Sequence, residues 1–517
     1  MFELLNRFWI ALPLSYALTV GGLVSGYRRG GVPADARFLR ALRAGLPVML
    51  VVMIAWSCIV GIVEAGIRTP PLLGLHTVLC MIFVLSASAL MGAILARRKP
   101  GTVVERGTVL LDDTDQESSV VQPGALTLAG HPIPLLDETK HFKIIGTTGT
   151  GKSTAIRELL TGALLRGDRA VITDPDADYL QRFYDPERGD VILTPFDPRA
   201  ARWDLFAEIT APQDADHLAR SFIPDYDGQD RNWRGFARTY VSAILSQLQR
   251  AEAHSLATLY HLLVAATEQD LRDLLEGTPA ARFLGGKEGG KFLESVQSVT
   301  IQHLTGIKYL AHQNEGNILG VRRWIREGRG VLFLPYGANE IASLQSLIST
   351  WMRLAIFEVM SSPKVDQRIW FVIDELDALG AIDGLKDALT RLRKFEGRCL
   401  LGLQNISQVR GKYGDSEAQS IVENCGNSFI LRCSASERGG TAEFASRLIG
   451  KRQIVRQQRS TSSSTEHLFK KTHTVSEQVF IEDAVMASEI EQLPDLSGFL
   501  KLASQPHWQR VSLVRSP

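Results

Sequence analysis

Nine consecutive residues carry the most specific chemistry in the chain: Gly146, Thr147, Thr148, Gly149, Thr150, Gly151, Lys152, Ser153 and Thr154. They fit G-x-x-x-x-G-K-[ST] at every fixed position. Phosphate oxygens need several donors converging in a small space. Glycines let successive backbone N–H groups point inward, and the N-terminus of a following helix adds partial positive charge. In such a loop Lys152 reaches the β- and γ-phosphates and the Ser153 hydroxyl holds Mg²⁺. ATP and Mg²⁺ are therefore the expected cofactors.

Two later stretches supply what hydrolysis would require. "RIWFVIDELDALG" places Asp374 and Glu375 at the end of an apolar run. From there Asp374 would bind the Mg²⁺ shell, and Glu375 would polarise the attacking water as general base. In "CLLGLQNISQ", Gln404 ends the next such run, where an amide would sense the γ-phosphate. A ring motor would also set an arginine of one subunit against the nucleotide of the next, and Arg391, Arg393 and Arg432 are candidates.

These groups act together only if strands carry them to one edge. Short apolar runs begin at Phe142, Ala170, Asp190, Val331, Ile369, Cys399 and Ser428, with helical patterns between them. Continuous apolar strands separated by helices imply an α/β fold whose mainly parallel sheet is covered on both faces. The glycine-rich loop follows the first run and opens a helix with Ile156, Leu159, Leu160, Ala163 and Leu164 on one face. The rhythm breaks between 211 and 327, which reads as an all-α insertion without a convincing strand. "RSTSSSTE", 459–466, reads as a mobile loop between late strands.

The chain has 517 residues, enough for about three domains, and 45% apolar content, ample for a large core. Net charge is +1, so any DNA contact must be local. Cys58, Cys80, Cys399, Cys425 and Cys433 show no metal-ligand spacing and read as reduced core or membrane residues. Uncharged stretches, 46–63 within a span of about 46–66 and 72–96, are long enough to cross a bilayer as helices. A further segment, 8–27, contains Pro13 and Gly21-Gly22 and equally suits an interfacial or signal-anchor role. Arg28, Arg29, Arg37, Arg40 and Arg43 precede the two spans and Arg97, Arg98 and Lys99 follow them, while the turn between them holds Arg68 alone. The positive-inside rule then puts that turn outside and the bulk of the chain in the cytoplasm.

Taken in order, the hairpin anchor, "GTTGTGKS", the helical insertion, "VIDELDAL" and "GLQNISQ" resemble the coupling proteins of type IV secretion, the TraD/TraG-like ATPases of bacterial conjugation. The resemblance implies a multi-pass anchor in the bacterial inner membrane (1–99), a RecA-like P-loop NTPase domain (100–210 and 328–517) and an all-α domain (211–327). It implies a homohexamer that delivers DNA, with its relaxase or relaxosome, to the secretion channel. Motif by motif, His141 matches the residue before the first strand, Asp174-Pro175 an Asp-Pro turn, Trp233 a tryptophan opening the insert, and Arg393 the trans arginine. Ala177 stands where glycine is common, and Asn405 where serine often follows the glutamine. Arg322, Arg323, Arg326 and Lys412 are candidate DNA contacts that equally suit a solvated face. A docking platform gated by ATP, and a protein-secretion ATPase of the same superfamily, are the alternative functions.

Overall fold

The computed structural model describes residues 103–112 and 124–514, apart from the segments 226–229, 286–288, 314–315, 362–367, 436–439 and 464–470, and before residue 100 positions 16, 19–21, 23–25, 41, 48 and 86–91. The expected spans 46–66 and 72–96 and the segment 8–27 lie outside the described residues but for those few positions, of which the longest run, 86–91, is helical. Among the described residues no helix is long and apolar enough to cross a membrane. Two compact units are present, Met1–Glu105 with Gln453–Phe480 and Arg106–Arg452 with Ile481–Pro517.

The second unit is built on a ten-stranded sheet. Its strands are β1 (Leu110–Asp112), β2 (Phe142–Ile145), β3 (Arg169–Pro175), β4 (Val191–Ile192), β5 (Val331–Tyr336), β6 (Ile369–Ile373), β7 (Gly397–Leu403), β8 (Asn427–Ile430), β9 (Ser497–Lys501) and β10 (Trp508–Ser512). The spatial order is β1-β10-β9-β8-β2-β7-β6-β3-β5-β4. Strands from β4 across to β8 are mutually parallel, and β9 and β10 continue the sheet antiparallel. The sheet is thus mixed, with a parallel centre.

Alternation explains why apolar residues fill both faces of the central strands. Ile144, Ile172, Val372 and Leu400 enter one core with the Lys152–Leu165 helix. Ile145, Val171, Phe371 and Leu401 enter the other with the Ile341–Ser361 helix. Each strand is wet on neither face, so no polar residue is needed at every second position. The helix face foreseen at Ile156, Leu159, Leu160, Ala163 and Leu164 is fully buried. Cys399, Cys425 and Cys433 are buried and unpaired.

Between Asp214 and Glu327 the chain forms the helices Asp214–Phe222, Arg231–Arg250, Leu256–Val264, Glu268–Arg272, Gly289–Ala311 and Val321–Glu327. One short strand interrupts them, contrary to expectation. Ile318–Leu319 pairs in parallel with Arg202–Trp203, a two-residue ladder too short to leave a period in the sequence. A second correction concerns 459–466. The strand Lys451–Ser463 runs through the first part of that stretch and belongs to a three-stranded sheet with Val103–Gly107 and Lys471–Asp483. Serine-rich composition reports polarity, whereas the ladder depends on a partner strand that composition does not reveal.

Candidate functional site

The glycine-rich loop crosses from the carboxyl end of β2 to the Lys152–Leu165 helix and is held from several sides. Gly146 N–H donates to the Leu403 carbonyl at 3.0 Å, and Thr147 N–H to that of Arg432 at 3.0 Å. The Thr150 carbonyl accepts from Leu496 N–H at 2.8 Å, while the Thr150 hydroxyl donates to the Thr147 carbonyl at 2.7 Å. The loop needs glycine for two reasons. Gly149 (φ 78°) and Gly151 (φ 114°) are left-handed, where a Cβ is strained. At Gly146 a Cβ would stand 2.9 Å from Leu431 Cβ, so packing alone excludes a side chain.

Neighbouring strands bring the acids to the loop. Lys152 Nζ lies 3.5 Å from Asp374 Oδ1 and 3.9 Å from Glu375 Oε1. The Ser153 hydroxyl donates to Asp374 Oδ2 at 3.2 Å. Asp374 Oδ1 is buried without a hydrogen bond, so the carboxylate whose other oxygen holds the Ser153 hydroxyl keeps one oxygen that can take a cation. These donors fit Mg²⁺.

Glu375 is held in a left-handed conformation (φ 63°). Burial pushes its carboxyl above the usual range; the Lys152 ammonium opposes the shift and the Asp374 carboxylate adds to it. Gln404 Nε2 donates to Glu375 Oε1, and the Thr148 hydroxyl donates to Gln404 Oε1 at 3.3 Å. One polar chain therefore links loop, amide and general-base candidate. Beside it an open cleft of about 450 Å³ is lined by Thr147, Thr148, Asp377, Gln404, Asn405 and Thr441, among others.

Several contributors carried no recognisable pattern. Gly402 admits Asp374: a Cβ there would stand 2.6 Å from Asp374 Oδ1. Its only trace in the sequence is a glycine inside an otherwise apolar strand. The Tyr179 hydroxyl donates to Asp374 Oδ2 at 2.8 Å, and Asp377 is buried beside the pair. Asp174, at the tip of β3, accepts from Tyr179 N–H at 2.9 Å and Leu180 N–H at 2.7 Å, and so builds the turn. Ala177 there is left-handed (φ 57°), a conformation that suits glycine. Asn405 caps the Ile406–Tyr413 helix by accepting from Ser407 N–H at 2.8 Å, work a serine would also do.

The remaining candidates lie elsewhere. Arg393 is exposed just before β7, whose seven residues separate it from its own loop by roughly 20 Å. Arg391 is exposed on the same side. Arg432 lies near the loop, but its side chain pairs with Asp495 at 2.6 Å. His141 is buried, bonded to the Leu389 carbonyl at 2.9 Å, and burial lowers its pKa to about 4. Of the proposed DNA contacts, Arg322 pairs with Asp214 at 2.9 Å and Arg326 with Glu358 at 2.7 Å. Arg323 is exposed and faces Glu327 at 3.9 Å, while Lys412 borders a pocket with Ser221, His303 and Gly380. Trp233 packs edge-to-face on Phe236 and at a tilt against Phe292.

A family described as the type IV secretion-system coupling protein DNA-binding domain matches residues 125–514. Coupling protein TraD of Escherichia coli (strain K12) is 30% identical over 378 residues, covering 72% of this chain and 52% of its own. The chain thus spans about half the length of that relative. Among solved structures, the bacterial conjugative coupling protein TrwB in an unbound form has a TM-score of 0.71 at 31% identity, covering 80% of this chain and 94% of that one. Plasmid coupling protein TrwB in complex with ADP and Mg²⁺ has a TM-score of 0.69 at 30% identity, with the same coverage.

Proposed function

The chain belongs to the type IV secretion-system coupling proteins, and on that premise we propose that it is a Mg²⁺-dependent ATPase that passes a DNA substrate to a type IV secretion channel in conjugation. The observation that carries this reading is the meeting of Lys152, Ser153, Asp374, Glu375 and Gln404 at the carboxyl ends of three neighbouring strands. Backbone amides of 146–154 and Lys152 would hold the phosphates, and Ser153 with Asp374 the metal. Mg²⁺ held there would supply neutralising charge to the phosphates. Glu375 would take a proton from the attacking water, and Gln404 would couple its position to the loop through Thr148.

The remaining parts of the proposal rest on sequence and family. Residues 1–99 form a multi-pass inner-membrane anchor, 100–210 and 328–517 the RecA-like domain, and 211–327 a mainly helical domain. Copies assemble as a homohexamer in which Arg393 of one subunit meets the nucleotide of another, and relaxosome proteins deliver the DNA. Turnover by the purified chain, with and without single- and double-stranded DNA, tests the core of this reading. DNA should accelerate ATP cleavage and Lys152→Ala should abolish it. A rate indifferent to DNA but raised by a protein substrate would select the protein-secretion ATPase instead. The docking-platform reading has one observation in its favour, the near-neutral charge of the chain. It requires Glu375→Gln to keep both substrate recruitment and transfer.

A further inference from the structure

Tyr179 belongs to none of the phosphate, metal or water-activating roles above, yet its hydroxyl ends on the metal-ligand candidate. We propose that Tyr179 is a positioning residue that fixes the Asp374 carboxylate in its Mg²⁺-binding orientation, an inference that rests on the nucleotide-site reading. A carboxylate at a strand tip has a broad terminal torsion and needs outer partners to hold it. Two donors converge on Asp374 Oδ2: the Tyr179 hydroxyl at 2.8 Å and the Ser153 hydroxyl at 3.2 Å. Both leave Oδ1 without a hydrogen bond and turned toward Lys152 at 3.5 Å. Ser153 is itself a metal ligand by this reading, whereas Tyr179 is the donor on Oδ2 that has no metal to hold.

The placement of Tyr179 is over-determined, as positioning requires. Asp174 and Asp374 follow the paired positions Thr173 and Ile373 on adjacent strands. Asp174 uses one oxygen on Tyr179 N–H and the other on Leu180 N–H. The preceding residues Asp176 and Ala177 are both left-handed, which turns the chain sharply enough to send the phenol back across the sheet. Tyr179 is 1% exposed, so water does not compete for the bond.

The test titrates Mg²⁺ into the full-length chain with a fluorescent, non-hydrolysable ATP analogue, and repeats the nucleotide titration in EDTA. Tyr179→Phe keeps the ring and removes the donor. Its Mg²⁺ midpoint should rise about tenfold, with affinity in EDTA unchanged. In an Asp374→Asn background the same substitution should add no further shift. Tyr179→Leu, which also removes the ring, should move the midpoint no further than Phe does. An unmoved midpoint in Tyr179→Phe, or a shift seen only with Leu, overturns the proposal and leaves the nucleotide site standing. A wild-type chain that binds no nucleotide overturns both.

Discussion

Lys152 is surrounded by more negative charge than one ammonium balances. Asp374 and Glu375 lie within 4 Å of it, and Asp176 and Asp377 also bear on Glu375. A divalent cation redresses that excess, so nucleotide affinity should fall on chelation with EDTA, as a binding titration would read directly. Glu375→Gln should retain ATP binding while losing about 10²- to 10⁴-fold in turnover. The pH dependence follows from burial. Because the Glu375 carboxyl is raised above its ordinary value of 4.5, it takes up its proton earlier as pH falls. A protonated base cannot accept one from water, so the acid limb of kcat/KM should lie above pH 4.5 in a pH–rate profile and should vanish in Glu375→Gln.

Among the elements, strand tips matter most, and their fitness depends on residues with no functional group to offer. Gly402 has no side chain to offer, but Gly402→Ala would drive a methyl into Asp374. The displaced acid should lower turnover at least tenfold, with a stability loss of about 1–3 kcal/mol in denaturant unfolding. Gly306 plays the equivalent part between helices. A Cβ there would stand 2.6 Å from Leu347 Cδ1 and 2.8 Å from the Ser343 carbonyl, where Gly289–Ala311 crosses Ile341–Ser361. Gly306→Ala should lower the thermal midpoint without changing the Mg²⁺ requirement. The long apolar runs and the buried face of the loop helix were legible beforehand, because period and continuity survive in a linear text. The pairing of Ile318–Leu319 with Arg202–Trp203 and the strand through Ser463 were not, since a ladder is a relation between distant segments.

At the scale of the molecule, Arg393 poses the sharpest question. The length of β7 keeps it from its own loop, so a role at the nucleotide demands a neighbouring copy. Arg393→Ala has an intact cradle and Lys152→Ala an intact arginine; mixed together they should recover turnover that neither shows alone. If mixtures stay inactive while co-assembling, the trans role fails. The proposed anchor rests on charge distribution. Reporter fusions in the 64–71 turn should report the exterior, and fusions after Lys99 the cytoplasm.

What the sequence determined by itself was chemistry written in contiguous residues: the phosphate loop with its lysine and hydroxyl, the acid pair after an apolar run, the glutamine ending the next, and the α/β alternation. Spacing along the chain encodes these because each is local to one loop or one strand. Tertiary structure alone decided that Tyr179 shares an oxygen of Asp374 with Ser153, that Gly402 makes room for it, that Thr148 joins Gln404 to Glu375, and that Arg322 and Arg326 are occupied by Asp214 and Glu358. Those are contacts between strands and helices far apart in the chain, and only the order in which the sheet is assembled brings them within a hydrogen bond.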